Sequence, residues 1–500
     1  MRLQWALVTI FFVNFFLLVL EIVAGRLMAP ITGVSLYTWT SIIGVILAGV
    51  SVGNYIGGRI ADKCGNRSIL AILLALSGIS SWTILETIKV SKALIPVLEV
   101  SFVFQIIIVF STVFLFPSLM LGTISPIVVA LTLTETEHYG DVIGKVYAVS
   151  ALGSIIGTFL TGFVLVGSLG SNLIVLIVSS GLLLLGSIVG MHANDQRIQR
   201  SFLLIGVLLL LLFSFLIGTN NVAWLRSSCL QETDYYCINI INDPEKPAVR
   251  LLVLDKLVHS YINLEDPTDL GYGYEYVYAD TVDELLGDTS KLKALMIGGG
   301  GYTFPRYIDA TYPESDISVV EIDPGVTKFA FDVLGIHFNS EIQNFNEDAR
   351  FFLANLTETK KYDFITNDAS NYFSMPYHLT TIEFDRLIEE HLTNEGLYLL
   401  NIIDGQKGLL LRAQLNSLKQ VFPYVYLSPM DQEIGKPKRS TYVVVSSKYP
   451  LQLSSKLSEV FVSNDELNLY LSGEDSVILS DDYAPVDNLI IPMVADSGWN

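Results

Sequence analysis

Four consecutive glycines, Gly298, Gly299, Gly300 and Gly301, interrupt the stretch "ALMIGGGGYTFPRYIDATYPESDISVVEID", Ala294 to Asp323. A turn without Cβ atoms lets a ligand approach the backbone closely. A dinucleotide fingerprint wants a glycine at the sixth position, and counting from Gly298 that position is Thr303. Glu321 ends the next apolar segment, 23 residues after Gly298, where its carboxylate is placed to accept two hydrogen bonds from ribose hydroxyls. A tight turn and a helix-capping acid would look the same on these two features. Asp348 in "NEDAR" and Asp368 in "YDFITNDASN" extend the pattern, each following a further probable strand. Four consecutive strand ends thus supply Gly, Glu, Asp and Asp along one rim, as an adenosine-type cofactor with an acidic reaction centre would need. An Asp at a strand end also caps turns, and Ser370 and Asn371 suit such a turn.

Other chemistries find no pattern. The six His are scattered and the three Cys form no Cys-x-x-Cys pair, so no metal is expected. Neither a Gly-x-Ser-x-Gly elbow nor a phosphate-loop Gly-Lys-Ser/Thr signature occurs. His378 is read as a satisfied structural residue.

The elements that must hold the rim follow from periodicity. Strands at Ala294 to Ile297, Ile317 to Glu321, Asp363 to Thr366, Leu397 to Ile402 and Tyr442 to Ser446 alternate with helical stretches. That alternation predicts a largely parallel, Rossmann-like α/β sheet with ligands at the carboxyl ends of its strands. Ahead of it "YCINIINDPEKPAVRLLVLD", Tyr236 to Asp255, alternates around an Asp-Pro turn and predicts a small antiparallel β-unit.

The first 219 residues are of another kind. They hold 10 of the 30 Lys+Arg and 8 of the 50 Asp+Glu, leaving a net charge of −22 for the remainder. An acidic half argues against a nucleic-acid groove. Apolar runs recur at Trp5 to Met28, Tyr37 to Ile60, Ile69 to Ile88, Leu98 to Leu131, Lys145 to Gly167, Asn172 to Met191 and Phe202 to Thr219. Each can cross a hydrocarbon core of roughly 30 Å. The first, carrying Glu21 and Arg26, is too long for a plain cleaved signal peptide. The fourth reads as one long helix or as two short ones broken near Pro117, so seven spans are expected, with eight as the alternative. No internal repeat is evident. The expected domains are a polytopic bundle at 1–219, a small β-domain and lead-in at 222–290, and the Rossmann-like domain at 291–500.

With seven spans, Arg2, Arg59, Lys63, Arg67, Lys145, Arg197 and Arg200 share the N-terminal side, while Lys89, Lys92 and Arg226 face the other. The positive-inside rule then predicts a multi-pass cell-membrane protein with a cytoplasmic N-terminus and an exterior acidic half. Eight spans would return that half to the cytoplasm. Cys229 and Cys237 could pair outside, or stay two free thiols. Gly49, Gly53, Gly57, Gly153 and Gly157 are spaced for close helix contact. Glu21 reads equally as a cation site or as a charge paired within the bundle.

Two resemblances become specific at these residues. "GGRIADKCGNR" is similar to the cytoplasmic loop signature of major facilitator transporters, although only about half of that fold could fit, which favours an anchor or ligand-handling platform. From about Glu232 to Leu489, "LVLDKLVHS", "IGGGG", "VVEID", "EDAR", "NDAS", "MPYHLTTIEF" and "SDDYAPVDNL" resemble the spermidine synthase (polyamine aminopropyltransferase) family. The whole chain resembles its membrane-fused members. The resemblance implies a methyltransferase-type sheet after a small β-domain and a dimeric tendency. It also implies decarboxylated S-adenosylmethionine as donor and a polyamine-like acceptor. By it Glu321 holds the ribose, Asp348 the adenine amino group, Asp368 is catalytic, and Tyr276 closes the pocket. His259 stands where the family has Gln, and Gly301 and Asn371 where it has amine-binding acids. The implied activity is therefore aminopropyl transfer to a diamine. S-adenosylmethionine-dependent methyl transfer, with Gly301 opening room, and a silent ligand-binding module coupled to the bundle are the alternatives.

Overall fold

The computed structural model describes residues 2–94, 100, 102–134, 138–193, 195–219, 229–287, 290–336, 340, 342–357, 359–370, 375–431, 438–472 and 477–497, with the side chains of 92–94, 102 and 208–219 left out. They fall into two compact units, Met1–Cys237 and Ile238–Asn500.

Among the described residues, six helices of the first unit are long and apolar enough to cross a membrane: Leu3–Thr32, Leu36–Cys64, Arg67–Ser91, Val103–Leu133, Tyr139–Leu169 and Ser171–Met191. The seventh expected span falls on the helix Gln196–Thr219, half of whose side chains lie outside the described residues. The ambiguous fourth run is continuous. A π-helical segment, Ser111–Leu115, precedes Pro117. The wider turn accommodates a ring that lacks an N–H and would clash with the preceding turn of an α-helix.

The glycines pack helix on helix, and they uncover an internal repeat that inspection of the sequence misses. A Cβ at Gly53 would meet the Leu119 carbonyl oxygen at 2.2 Å, and one at Gly157 the Phe15 carbonyl oxygen at 2.6 Å. Gly49 stands in the same way against Leu115, and Gly153 against Phe11. One interval along the chain carries Gly49 to Gly153, Gly53 to Gly157, Phe11 to Leu115 and Phe15 to Leu119. The second helix therefore packs on the fourth as the fifth packs on the first. Gly78 against Ser179 and Gly186 against Ala71 complete the exchange between the third and sixth. Two three-helix repeats with opposite starting sides result, an inverted arrangement.

Beyond the bundle, the short strand β1 (Gln231–Glu232) lies in a segment tied to it. Cys229 and Cys237 form a disulfide. Arg26 donates to the carbonyls of Tyr235 and Thr233 at 2.5 and 2.8 Å, which is where its charge is spent. Glu232 accepts from the backbone N–H and hydroxyl of Ser171, both at 2.8 Å, at a helix N-terminus that favours a negative charge.

In the second unit β2 (Cys237–Asn242), β3 (Val249–Leu254) and β4 (Leu257–Asn263) pair antiparallel, as their alternation predicts. The large sheet contains β5 (Lys293–Ile297), β6 (Asp316–Val320), β7 (Ile342–Phe345), β8 (Tyr362–Asn367), β9 (Leu392–Asp404), β10 (Tyr424–Pro429) and β11 (Ser440–Ser447). Its order is β10-β11-β9-β8-β5-β6-β7, parallel from β9 to β7 and antiparallel at the β10–β11 edge. This is the Rossmann-like, methyltransferase-type fold. Helices cover both faces, so the central strands read as continuous apolar runs rather than alternating ones. Ala294, Met296, Ile317, Val319, Phe364 and Leu399 are all buried in one core.

Candidate active site

Register brings the rim together. Ile297 pairs with Val320 and with Asn367, and Val320 with Phe345, so four parallel strands end flush. The glycine turn, Glu321, Asp348 and Asp368 consequently stand on one sheet edge.

The turn is built by left-handed backbone. Gly298 has φ 87° and Gly300 φ 49°, conformations that side chains disfavour. A Cβ at Gly298 would come within 2.9 Å of the Asp368 carbonyl. Tyr302 shares the left-handed region at φ 59°, an uncommon state for a bulky residue. Its ring is fully buried under the turn, and its hydroxyl lies 3.2 Å from Thr327 Oγ1.

Glu321 holds that turn from below. Its Oε2 accepts from the N–H groups of Gly299 at 2.8 Å and Gly300 at 3.3 Å, and its Oε1 from Asp323 at 2.9 Å. A carboxylate offers about four acceptor positions. Three are therefore engaged, and the two positions expected for ribose hydroxyls reduce to one. Burial pushes the Glu321 pKa up, opposed by these hydrogen bonds. Asp348 caps the helix Ala349–Asn355, accepting from Arg350 and Phe351, and its Oδ2 lies 2.7 Å from His378 Nε2. The His378 hydrogen bond is the largest influence lowering the Asp348 pKa. His378, read as merely structural, thus belongs to the rim.

Asp368 receives two hydrogen bonds, from the Tyr274 hydroxyl to Oδ2 at 2.6 Å and from Asn401 Nδ2 to Oδ1 at 2.7 Å. Burial raises its pKa and these bonds pull it down. It lines a cavity of about 180 Å³ with the turn glycines 298–300, Tyr274, Glu275, Tyr278, Asn401 and Arg439. Glu321 and Asp348 share the sheet edge but not that lining.

Several expectations need correction. Tyr276 does not close the cavity: it is exposed, and its hydroxyl donates to Asp269. In the helix Gly273–Leu286 each residue turns about 100°, so Tyr274 and Tyr278, one turn apart, face the cavity and Tyr276 faces away. His259 lines the cavity, and burial lowers its pKa to about 4, so it is a neutral imidazole at neutral pH. Asn371 lies outside the described residues. Gly301 opens no room. A Cβ there would meet Ile262 at 2.5 Å and Ser260 at 2.6 Å, and the Gly301 N–H donates to Ser260 Oγ at 2.7 Å. The small sheet fills the space beside Gly301. Gly301→Asp is accordingly expected to destabilise the protein by about 1–3 kcal/mol through overpacking. A lower melting temperature with no gain in diamine affinity is the expected result; a gain in affinity would contradict it.

Sequence reasoning missed Tyr274, Glu275, Tyr278, Asn401 and Arg439. The spacing of Tyr274 and Tyr278 on an amphipathic helix was the available signal. Among the described residues no group of three or more His, Cys, Asp or Glu could hold a metal.

The C-terminal half is similar to polyamine aminopropyltransferases. That of Vibrio vulnificus is 28% identical over 247 residues, 48% of this chain and 78% of that protein. The aminopropyltransferase-like half also matches the eEF1A lysine and N-terminal methyltransferase of Bos taurus, 30% identical over 162 residues, 31% of this chain but only 23% of that protein. A solved structure of a probable spermidine synthase from Corynebacterium glutamicum is 22% identical, with a TM-score of 0.44, and the likeness covers 49% of this chain and 93% of that one. No family model matches the chain.

Proposed function

We propose that the C-terminal half is a membrane-anchored transferase that moves an aminopropyl group from decarboxylated S-adenosylmethionine to a diamine such as putrescine. The observation that carries the reading is Asp368, held by Tyr274 and Asn401 at the wall of a cavity floored by the glycine turn. The turn glycines 298–300 line the cavity, and backbone without Cβ atoms lets a nucleoside approach it closely. The bound donor would supply an electrophilic carbon next to a sulfonium. Asp368 accepts the proton of the attacking nitrogen while the new C–N bond replaces the C–S bond and methylthioadenosine leaves. Tyr274 and Asn401 orient that carboxylate, and positioning carries much of the barrier reduction. Release of methylthioadenosine by the full-length protein in detergent, given this donor and putrescine, tests the proposal. No product from the protein with Asp368 intact would overturn it. Arg439 puts a cation on the cavity wall. Calorimetric comparison of decarboxylated and undecarboxylated S-adenosylmethionine separates aminopropyl from methyl transfer.

A second reading, a ligand-binding module coupled to the bundle, is favoured by the Cys229–Cys237 disulfide. Disulfides persist in oxidising compartments, and with seven spans the Lys/Arg bias predicts an exterior acidic half, whereas sulfonium nucleosides are made inside. A reporter fused after Asn500 separates them. Periplasmic-type reporter activity is expected if the binding-module reading holds, and cytoplasmic fluorescence if the transferase reading does.

A further inference from the structure

The first span carries a carboxylate that the bundle does not compensate. None of residues 13–32 is exposed, so this part of the helix is packed among the other spans. Glu21 lies within it, partly buried, and among the described residues it forms no hydrogen bond or ion pair. Arg26 stands about 7.5 Å further along the helix axis, and its guanidinium donates to the carbonyls of Tyr235 and Thr233 instead. The second, fourth, fifth and sixth spans pack against the first. Val103–Leu133 and Ser171–Met191 contain no ionisable residue, while Arg59, Asp62 and Lys63 of the second span and Asp141 and Lys145 of the fifth stand toward the opposite end. At the Glu21 end the remaining ionisable groups are Tyr37 and, on the disulfide-closed segment, Glu232 and Asp234, none of them a cation.

The same level holds a second irregularity. Gly153 packs on Phe11 and Gly157 on Phe15, so the fifth span runs parallel to the first and its segment Thr161–Leu165 lies level with residues 19–23. That segment is π-helical, the Val166 N–H bonding to the Thr161 carbonyl five residues back. Pro117 accounts for the π turn of the fourth span, but the fifth span contains no proline. A π turn that no ring imposes is frequent at functional sites. Glu21 also shares a helix face with Gly25, where a Cβ would meet the Trp39 ring of the second span at 2.9 Å. It therefore stands at the seam between a span of the first repeat and a span of the second, where inverted-repeat bundles hold coupling ions.

We infer that Glu21 is a reversible proton-binding site inside the bundle, which makes the membrane half an ion-handling unit and not only an anchor. A carboxylate takes up one proton and becomes a neutral acid, with no other bond changed. Ionisable groups within a span characteristically mark such relays, because an unpaired charge there is costly and protonation removes it. A metal cation fits less well. Hard cations take about six oxygen ligands, and among the described residues no group of three or more His, Cys, Asp or Glu gathers to supply them. The inference stands independently of the transferase reading.

The test records infrared difference spectra of the full-length protein in lipid vesicles, stepped reversibly between alkaline and mildly acidic pH. Surface carboxylates contribute equally to wild type and variant. Wild type is expected to show in addition the C=O stretch of a protonated carboxyl that Glu21→Gln lacks, with the same midpoint in sodium and potassium salts. Glu21→Asp is expected to restore the band at a shifted frequency, and it decides the matter if the glutamine variant does not fold. An unchanged melting temperature shows that a variant is folded. Identical spectra for wild type and both variants overturn the inference, as does a Glu21 that keeps one protonation state over the whole range. A midpoint that moves with sodium overturns the assignment to a proton.

Discussion

Asp368→Asn is expected to lower turnover of the full-length protein by about 10²- to 10⁴-fold, the usual contribution of a positioned general base. The amide keeps the shape but offers one acceptor oxygen where the carboxylate offers two. Tyr274 and Asn401 both donate to the native group, so one of them would face an NH₂ in the variant. Methylthioadenosine affinity should stay the same, because the variant leaves the glycine turn and Glu321 intact. The pH dependence has a definite sign. Burial holds the Asp368 pKa above its ordinary value of 3.8. Below that raised pKa the group is protonated and cannot take the proton of the attacking nitrogen, so kcat/KM falls as pH falls, along a limb that the variant should lack. Stability runs the opposite way. A carboxyl with a raised folded-state pKa contributes stability below its unfolded pKa and loses it as pH rises through the folded one. Wild-type turnover in Asp368→Asn would remove the proposed chemistry.

Glu321→Gln is expected to weaken methylthioadenosine binding by about 10- to 100-fold, corresponding to the loss of one hydrogen bond to a charged group. The native carboxylate takes three backbone N–H groups from two directions. In glutamine either the Gly299 and Gly300 donors or the Asp323 donor must face an NH₂, and a turn already holding left-handed glycines and Tyr302 loses its anchor. The remaining acceptor position is disturbed with it. Calorimetry with methylthioadenosine is the measurement, and an unchanged Kd would mean that Glu321 serves the turn alone. The predicted loss concerns the nucleoside, whereas Asp368→Asn concerns turnover, so the two variants should dissociate.

The rim was legible because it is written locally. A strand, a turn and a helix repeat along the chain, each recognisable from short-range periodicity and from glycine or acid at its boundary. In a parallel sheet, consecutive strand ends fall on one edge whatever the rest of the chain does. The apolar spans were legible for a similar reason, since length and hydropathy are properties of a segment. Even Pro117, which left the fourth run ambiguous, was resolved by local geometry, a π-helical turn that the sequence does not announce.

The cavity itself depends on contacts between residues distant along the chain. Asn401 reaches Asp368 from β9, and Tyr274 reaches it from a helix ahead of the sheet. Ser260 and Ile262 of β4 fill the space at Gly301, so an absence of side chain that reads as room is occupied by another element. Helical phase, not proximity in sequence, turned Tyr274 and Tyr278 inward and Tyr276 outward. The same holds in the bundle, where the repeat lies in which helices touch and leaves little mark on residue identity. Composition and periodicity thus determined the spans, the sheet and the acids on its edge. Tertiary packing decided which of those acids face a shared cavity, because that choice is made by side chains brought together from separate segments.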